Sequence, residues 1–390
     1  MKILIVIDYF QPVLGYSETF IAKEFLKLWH EVLVLTSNYY YPFPDYDDTS
    51  GKILWKREQK IGYKIEAWIP TQRERLRFEI FNRAYFWNIE KNIAEFRPDV
   101  IIVNGIASIT PVRVAKLKKK YNFKLLCFDS NLMSILNQWL RIKKIIYAIF
   151  RWFFSKFLEK NVDTFVWVQE ETCDIIHSFY WIRKERIYFI PLWTNTDTFR
   201  FEQKERELIR EKYNIPSDSI VLIYTWKLIL DKGYDLLIKS TSKIIKENPN
   251  VYVIIIWSWP ESLINEMNEY IKELKENYIF IDFVKNEELF KYFSASDVGI
   301  WPLQESVSMV EAAACNLPFI ANDTIGTKLR ISNNNALLYR KGDISDLYEK
   351  IKYLVENDNE RLSMGKRWRS LVEEKLSWAN IAKEYLKFNH

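Results

Sequence analysis

Apolar strand segments and amphipathic helices alternate along this chain, and this alternation limits the fold more than any other feature. Met1 to Asp8 is a short, almost wholly apolar run that predicts a first buried strand. A helix follows in which Ile21, Phe25 and Leu28 share one face, and Glu31 to Ser37 supplies a second strand. A strand, a helix and a strand in this order form a parallel pair. The sequence therefore predicts an α/β protein with doubly wound parallel sheets.

The same alternation starts again after residues 192–201, which are predicted to be a hinge. The strands predicted in this second half are Ile220–Tyr224, Val251–Ile256, Tyr278–Ile281, Asp297–Trp301, Pro318–Ala321 and Ala336–Tyr339. We therefore expect two domains, 1–192 and 193–365, followed by a C-terminal helix in 366–390. This helix can pack on either half, so it can return to the N-terminal domain. Within the first domain, 73–96 is predicted to be helical. Doubly wound sheets bind ligands at the carboxyl ends of their strands.

Composition narrows the class of protein and its location. The 390 residues, 48% of them hydrophobic, suffice for two cores. A net charge of +5 without a dense basic block argues against a nucleic-acid partner. Three cysteines without CxxC spacing argue against a disulfide framework and a zinc site. No apolar run approaches the ~20 residues that span a bilayer, and the N-terminal run is too short for a signal peptide. A cytoplasmic protein is expected.

Residues 136–160 are rich in Trp, Phe, Ile, Lys and Arg and allow two interpretations. In the first, they form a long helix that packs on the sheet and has a basic outer face. In the second, the outer face meets anionic lipid, which would put the protein at the inner face of the cell membrane.

Two lysines lie in the turn between the strand Ile220–Tyr224 and a helix that begins near Tyr234. Lys227 and Lys232 are close enough in sequence to converge on one anion across this turn. Two lysines in a loop can equally be solvated surface residues.

A second anion site is predicted where the strand Asp297–Trp301 ends. Ser306 can cap an alanine-rich helix, and the N–H groups of Ser306, Val307 and Ser308 would then be free to bind a diphosphate. Glu311 lies about one turn into this helix, where its carboxylate can accept hydrogen bonds from ribose hydroxyls. Its alternative role is to complement the helix dipole.

Six segments, taken in order and spacing, resemble the motifs of the family 4 retaining glycosyltransferases. They are Gly15–Glu18, Leu28–Val32, Ile190–Phe199, Thr225–Gly233, Ile256–Glu261 and Ser306–Pro318. The resemblance covers nearly the whole chain. It implies the GT-B architecture, in which two Rossmann-like domains face a central cleft, with an acceptor-side N-terminal domain and a nucleotide-sugar-binding C-terminal domain. The implied activity is transfer of a sugar from a nucleotide diphosphate sugar to a glycan or lipid-linked acceptor, in cell-surface polysaccharide biosynthesis.

The resemblance also implies roles for individual residues. Its donor-binding positions are Gly15, Trp226, Lys227, Lys232, Ser306, Val307 and Glu311. Lys227 and Lys232 would offset the charge of the leaving diphosphate, and Glu311 would bind the ribose. Neither a metal ion nor a cofactor is required if the lysines and backbone amides supply this stabilisation.

The chain departs from the family pattern at two catalytic positions. The family has a glutamate eight residues before Glu311, but Leu303 stands there, and Glu305 is the nearest acid that can take the role. A histidine expected after the strand at 124–128 is absent. Asn131 or Asp129 can contact the donor sugar there, or can be turn residues. These departures leave a non-catalytic nucleotide-sugar-binding or scaffold subunit as an alternative. An oxidoreductase is disfavoured because the first turn lacks GxGxxG.

Tryptophan occupies several positions where the family has glycine. These positions are Trp29, Trp181, Trp193, Trp226, Trp257 and Trp259. Glycine is used at such positions because they require φ > 0 or close backbone approach. The chain has only nine glycines but fifteen tryptophans, whereas glycine ordinarily makes up ~7% of residues. One hypothesis is that UGA encodes glycine in the source genome. The alternative is a divergent enzyme with a partly blocked donor site.

Overall fold

The computed structural model describes residues 1–14, 16–43, 46–47, 51–106, 108–128, 141–167, 173, 175–190, 194–225, 233–256, 269–282, 284–303, 306–324, 327–328, 331 and 334–387. The chain divides into two compact units. One comprises Met1–Pro191 together with the last residues from Ile381, and the other comprises Leu192–Asn380.

The first unit contains a central sheet and a separate hairpin. Its strands are β1 Lys2–Ile7, β2 Glu31–Ser37, β3 Gly62–Glu66, β4 Ile69–Glu74, β5 Leu76–Ile80, β6 Arg83–Phe86, β7 Val100–Asn104, β8 Lys124–Phe128, β9 Thr164–Trp167 and β10 Ile187–Phe189. Its helices are α1 Ser17–Lys27, α2 Gly51–Leu54, α3 Ile89–Phe96, α4 Ile109–Tyr121 and α5 Arg141–Asn161. Within the described residues, eight strands form the sheet in the order β10-β9-β8-β7-β1-β2-β4-β3, and β5 and β6 form a separate pair. The sheet is parallel except for the antiparallel pair β3 and β4.

The prediction of a helix over 73–96 was wrong for most of its length. Leu76, Phe78 and Ile80 alternate with polar residues along β5, and β6 returns antiparallel after a two-residue turn. Both turn residues, Phe81 and Asn82, have positive φ, of 51° and 60°. This is the backbone that a tight hairpin turn requires. Only residues from Ile89 onward form the helix α3, so period-two alternation was the stronger signal.

The second unit repeats the alternation with one parallel sheet. Its strands are β11 Ile220–Thr225, β12 Val251–Ile256, β13 Tyr278–Ile281, β14 Val298–Trp301, β15 Phe319–Asn322 and β16 Leu337–Tyr339. Its helices are α6 Gln203–Lys212, α7 Tyr234–Glu247, α8 Leu289–Ala295, α9 Val307–Ala314, α10 Ile344–Glu356 and α11 Asp358–Leu371, and α12 Trp378–Lys387 begins in this unit. The strand order is β13-β12-β11-β14-β15-β16. Every strand lies close to its predicted position because each is a continuous apolar run, as strands covered on both faces must be.

Helix α11 extends the second unit beyond residue 365. Trp368 is fully buried and stacks on Phe319 of β15, with 4.8 Å between ring centroids. Gly365 lies so close to the loop before β15 that a β-carbon would be 2.0 Å from the carbonyl oxygen of Asn316. The helix therefore forms part of the core of this unit.

Both sheets change winding direction at one pair of adjacent strands. In the first unit the chain leaves β1 toward β2 on one side and later returns to β7 on the other. In the second unit the equivalent pair is β11 and β14. The carboxyl ends of such a pair are where doubly wound sheets bind ligands. Each unit thus has one expected site.

The described outer face of helix α5 carries large apolar residues. Among its described side chains, four large apolar residues are exposed, namely Ile145, Ile149, Trp152 and Phe153. Lys156 and Lys160 are exposed near its C-terminal end. The opposite face packs on the core of the unit through Leu158 and several phenylalanines. The described part of the outer face therefore carries large apolar residues in addition to lysines. Within the described residues, no helix combines the length and apolar character that crossing a bilayer demands.

Candidate active site

The start of the loop between β11 and α7 is held by two buried hydrogen-bond donors. The carbonyl oxygen of Thr225, the last residue of β11, accepts hydrogen bonds from Trp301 Nε1 at 3.3 Å and from Ser308 Oγ at 3.2 Å. Trp301 Nε1 also donates to Ser308 Oγ at 3.1 Å. Because Ser308 lies in the first turn of α9, this contact fixes the start of the loop beside the N-terminus of that helix.

The other end of the same loop is fixed by a close backbone approach. Gly233 has φ of 75°, and a β-carbon there would lie 2.7 Å from Pro302 Cβ and 2.9 Å from Leu303 Cγ. Only glycine meets both constraints without strain. Since Pro302 and Leu303 directly follow β14, Thr225 and Gly233, which flank residues 226–232, both lie near the start of α9 or the segment that leads into it. Trp226, Lys227 and Lys232 themselves lie outside the described residues.

The N-terminus of α9 differs in detail from the predicted diphosphate site. Ser308 N–H donates to Ser306 Oγ at 3.2 Å, so the cap already uses this amide. Ser306 N–H donates to Met309 Sδ at 3.4 Å. Val307 is partly exposed, and as the first residue of α9 its N–H has no acceptor within the helix. Val307 is thus the amide best placed to bind an anion, and Ser306 acts mainly as the cap.

Glu311 is buried in α9 with one polar partner among the described residues. Its Oε1 accepts a hydrogen bond from Asn286 Nδ2 at 2.8 Å. Asn286 lies in the turn Asn286–Glu288 between β13 and α8, a position for which the sequence predicted no role. Burial raises the pKa of Glu311 to about 7, and the hydrogen bond from Asn286 acts in the opposite direction. A buried carboxylate with spare acceptor capacity is suited to binding hydroxyl groups.

The remaining predicted site residues lie outside the described part of the chain. They are Gly15, Asn131 and Glu305, in addition to the loop residues named above. Their roles stay predictions.

The first unit has a cavity of about 290 Å³ at its own switch point. Asp8 at the end of β1, Asn104 and Gly105 at the end of β7, and Arg83 of β6 line one part of it. The start of α1 lines another part with Tyr16, Ser17 and Glu18, and Tyr41 and Phe43 add two aromatic rings. The cavity thus combines aromatic faces with hydrogen-bonding groups.

Two acids in this cavity have different surroundings. Asp8 accepts hydrogen bonds from Thr110 Oγ1 at 2.7 Å and from Ala84 N–H at 3.2 Å. Burial raises the pKa of Asp8, while the nearby charge of Arg83 opposes that change. Glu18 accepts a hydrogen bond from Ser17 Oγ at 3.2 Å, and burial raises its pKa to about 7. Asp8 is therefore part of a buried structural network, whereas Glu18 keeps capacity for a ligand.

Gln11 adds an unused acceptor to the same cavity. It is 4% exposed, and its Oε1 has no hydrogen-bond partner among the described residues. A buried polar atom without a partner is costly unless a ligand or water pairs with it. Sequence reasoning did not identify Gln11, and it assigned no role to Glu18 although Glu18 closes the Gly15–Glu18 motif.

Two family descriptions match the chain in succession. Glycosyltransferase Family 4 matches residues 19–198, and Glycosyl transferases group 1 matches residues 205–371. Together they account for most of both units.

Individual curated relatives are similar over part of the chain. Spore coat protein SA of Bacillus subtilis is 29% identical over 212 residues, which are 50% of this chain and 54% of that protein. The capsular polysaccharide biosynthesis glycosyltransferase CapM of Staphylococcus aureus is 26% identical over 220 residues, 53% of this chain and 57% of that protein. The chain thus spans about half the length of these relatives. The O-antigen biosynthesis glycosyltransferase WclY of Escherichia coli is 23% identical over 74% of this chain and 78% of its own.

Solved structures show the same fold over the full length. The HepE protein of Anabaena in complex with UDP has a TM-score of 0.72 at 14% identity, over 99% of each chain. Sucrose-phosphate synthase from Thermosynechococcus elongatus has a TM-score of 0.70 at 17% identity, over 99% of this chain and 98% of its own. With two doubly wound units and both family descriptions in succession, this chain belongs to the family 4 glycosyltransferases of GT-B architecture.

Proposed function

We propose that the protein is a retaining glycosyltransferase that moves a sugar from a nucleotide diphosphate sugar to a glycan or lipid-linked acceptor. The observation that carries this proposal concerns the two residues that flank 226–232. Thr225 is held by Ser308 of the helix that bears Glu311, and Gly233 lies against Pro302 and Leu303, which precede that helix. Relatives named for capsular polysaccharide and O-antigen biosynthesis support a role in polysaccharide synthesis. The UDP complex of the Anabaena neighbour supports a nucleotide ligand.

In this proposal the second unit binds the donor. Glu311 accepts hydrogen bonds from the ribose, and the amide of Val307 contacts the diphosphate. Gly15 is a further proposed contact to the donor. Lys227 and Lys232 stabilise the charge that develops on the diphosphate as its bond to the sugar breaks. Fixed cations act strongly here because the protein does not reorganise during the reaction. Asn131 and Glu305 are proposed contacts to the donor sugar, and no metal ion is required for any of these roles.

The cavity in the first unit is the proposed acceptor site. The faces of Tyr41 and Phe43 suit the apolar C–H surface of a sugar ring. Glu18 and the unpaired Oε1 of Gln11 suit its hydroxyl groups. This arrangement supports an acceptor that presents a sugar ring.

Release of nucleotide from UDP-, GDP- and ADP-sugars tests the activity. We expect one donor class to be turned over, and Lys227→Ala or Lys232→Ala to lower kcat/KM roughly 100-fold or more, as when other preorganised transition-state contacts are removed. Lys239→Ala is the control, because Lys239 lies on α7 and faces Asp235 at 3.7 Å. Donor binding without turnover would instead favour the non-catalytic subunit, and absence of both would exclude the proposal.

We further propose that the enzyme acts in the cytoplasm, at the inner face of the cell membrane, through the apolar stripe of α5. This stripe is Ile145, Ile149, Trp152 and Phe153. It is bordered by exposed Lys156 and Lys160 on the same helix. Exposed apolar side chains with adjacent cations match an anionic lipid surface.

Sedimentation with vesicles tests the lipid contact. The protein should bind vesicles that contain phosphatidylglycerol and bind phosphatidylcholine vesicles weakly. The double variant Ile149→Ser/Phe153→Ser should lose this binding, whereas Leu362→Ser, which removes a 64% exposed leucine from α11, should retain it. Equal binding by both variants would exclude α5 as the contact.

The tryptophans at family glycine positions also fit a proposal about the gene. Among the six, Trp29 and Trp181 lie within the described residues, and both have left-handed backbone, with φ of 62° and 56°. We propose that these two, with Trp193, Trp226, Trp257 and Trp259, are UGA codons read as glycine in the source organism. UGG codons at these positions would exclude the idea. A protein with glycine at all six positions should be more active than one with tryptophan, because an indole at position 226 crowds the diphosphate.

A further inference from the structure

Asn286 contacts the proposed ribose ligand from outside the segments that carry the family motifs. Its side-chain amide donates to Glu311 Oε1 at 2.8 Å, across 25 residues of sequence. Asn286 is exposed, while Glu311 is 5% exposed. The Asn286 amide therefore contacts the buried Glu311 carboxylate from the solvent side.

This contact constrains how Glu311 can bind a ligand. A glutamate side chain has three rotatable bonds, and a hydrogen bond to Oε1 restricts the rotation of its carboxylate. The remaining lone pairs then point in defined directions. An N–H donor also favours the ionised form, which accepts hydrogen bonds without donating them.

We propose that Asn286 is a positioning residue that orients the Glu311 carboxylate toward the ribose hydroxyls of the donor nucleotide. The inference rests on the proposed function, because it assumes that a nucleotide binds next to Glu311. Its structural alternative is that Asn286 only stabilises the turn between β13 and α8.

Calorimetric binding of free nucleotides separates these roles without requiring turnover. UDP, GDP and ADP are compared with their 2′,3′-dideoxy forms. In the wild-type protein, one ribonucleotide should bind more tightly than its dideoxy form. Asn286→Ala should weaken the binding of that ribonucleotide roughly tenfold, which is the usual effect of losing a hydrogen bond to a charged group. The affinity for the dideoxy form should stay unchanged.

Three further variants sharpen the result. Asn286→Asp should bind the ribonucleotide more weakly than Asn286→Ala does, because it places a second carboxylate against Glu311. Asn286→Gln retains an amide and should recover part of the affinity. Glu287→Ala, an exposed neighbour in the same turn, is the control and should bind like the wild type.

Each outcome bears on a different claim. If the wild type binds no nucleotide, the proposed function fails. If it binds a nucleotide but does not distinguish ribose from dideoxyribose, the role of Glu311 fails, and this inference with it. If Asn286→Ala weakens both forms equally, or neither, Asn286 is a structural residue and the positioning role is excluded.

Backbone geometry supports a second, independent inference about Trp55 and Trp68. Among the described residues other than glycine, thirteen have positive φ, of which six are asparagine and four are tryptophan. Asparagine tolerates this conformation, whereas bulky residues rarely adopt it. The four tryptophans are Trp29, Trp55, Trp68 and Trp181, and two of them, Trp55 and Trp68, are not among the six positions where the family has glycine.

Each of these two positions is one that glycine ordinarily fills. Trp55, with φ of 61°, directly follows α2, and its N–H donates to the carbonyl oxygen of Gly51 at 2.8 Å, which is a left-handed helix end. Ala67 and Trp68, with φ of 48° and 71°, form the two-residue turn between Glu66 and Ile69. Such a turn requires positive φ at both residues and favours glycine at the second. Trp55 and Trp68 are 82% and 85% exposed, so no packing offsets the strain.

We infer that Trp55 and Trp68 are also glycine in the native protein. Codons and peptide masses from the source organism test this directly. UGA codons with glycine masses would support the inference, and UGG codons or tryptophan masses would overturn it.

Stability measurements test the physical argument separately. Trp55→Gly and Trp68→Gly should each raise the midpoint of thermal unfolding. Trp152→Gly is the matched control, because Trp152 is similarly exposed but lies within helix α5. Glycine should lower the midpoint there, since it destabilises a helix interior. A fall at positions 55 and 68 as well would contradict the strain argument.

Discussion

Tryptophan occupies two very different environments in this protein, the core of the second unit and the turns of the first. Trp301 and Trp368 are buried under β14, β15 and α11, where Trp301 hydrogen bonds to Thr225 and Trp368 stacks on Phe319. Trp29, Trp55 and Trp68 lie in turns of the first unit with left-handed backbone and are 82–94% exposed. The first group has the packing that an indole needs. The second has the backbone that glycine needs.

The difference shows how residue identity and local geometry can be tested against each other. An indole contributes stability mainly by burying apolar area, and an exposed one in a turn contributes little. The left-handed conformation costs a residue with a β-carbon about 1–2 kcal/mol. Replacing a tryptophan should therefore lower the stability in the first region and raise or preserve it in the second.

The largest effect is expected at Trp368. Trp368→Ala should lower the free energy of unfolding by about 3–5 kcal/mol, because it removes a fully buried ring and leaves a cavity against Phe319. Urea unfolding followed by circular dichroism measures this loss. Trp29→Ala provides the comparison and should cause no comparable loss. Similar losses for the two variants would show that the exposed tryptophans have packing partners after all.

Glu311 sharpens the comparison because its burial, like the strained turns, is locally unfavourable. Unlike those turns, Glu311 has a proposed function, which is to bind the ribose. Burial raises its pKa in the folded state to about 7 from an ordinary value of 4.5. Between these pH values the folded protein keeps a proton that the unfolded chain releases, so this group's contribution to stability is lost as pH rises. Glu311→Gln stays neutral at every pH. The variant should therefore be more stable than the wild type at pH 8, by on the order of 1–3 kcal/mol.

Paired urea midpoints at pH 4.5 and pH 8 measure that difference. The advantage of Glu311→Gln should be small at the lower pH and reach its full value above about pH 7. Glu18, whose pKa is also raised to about 7, is present in both proteins, so its contribution cancels. An advantage that is equal at the two pH values would show that the carboxylate is not destabilised by its charge. The same variant should bind ribonucleotides less tightly, which separates a functional cost from mere strain.

The sequence predicted most strands of the two sheets, because most of them are runs of mainly apolar residues. It failed for β5 and β6, where alternating residues were assigned to a helix. At the site, the cap pattern around Ser306 predicted the start of α9 and the place of Glu311. It could not predict that Asn286 contacts Glu311, or that Trp301 and Ser308 hold Thr225, since these contacts join residues that only the folded chain brings together. The unpaired acceptor of Gln11 likewise has no local signal in the sequence.

The smallest expected effect, and the most specific, is at Trp29. This residue follows α1 in a helix end where His30 N–H donates to the Phe25 carbonyl and Trp29 N–H to the Leu26 carbonyl, both at 3.0 Å. This is the Schellman arrangement, in which glycine is the usual residue at the left-handed position. Trp29→Gly relieves the strain but increases the entropy of the unfolded chain. A net gain of about 0.5–1 kcal/mol in the free energy of unfolding is expected.

Asn122→Gly is the matched control for this gain. Asn122 ends α4 with φ of 50°, so it occupies the same backbone region at an equivalent helix end. Because asparagine already tolerates that conformation, its replacement by glycine should change stability less than Trp29→Gly does. The comparison separates the effect of the indole side chain on stability from the effect of the left-handed backbone. If both variants gain equally, the benefit belongs to glycine at any left-handed helix end, and Trp29 gives no information about how its codon is read.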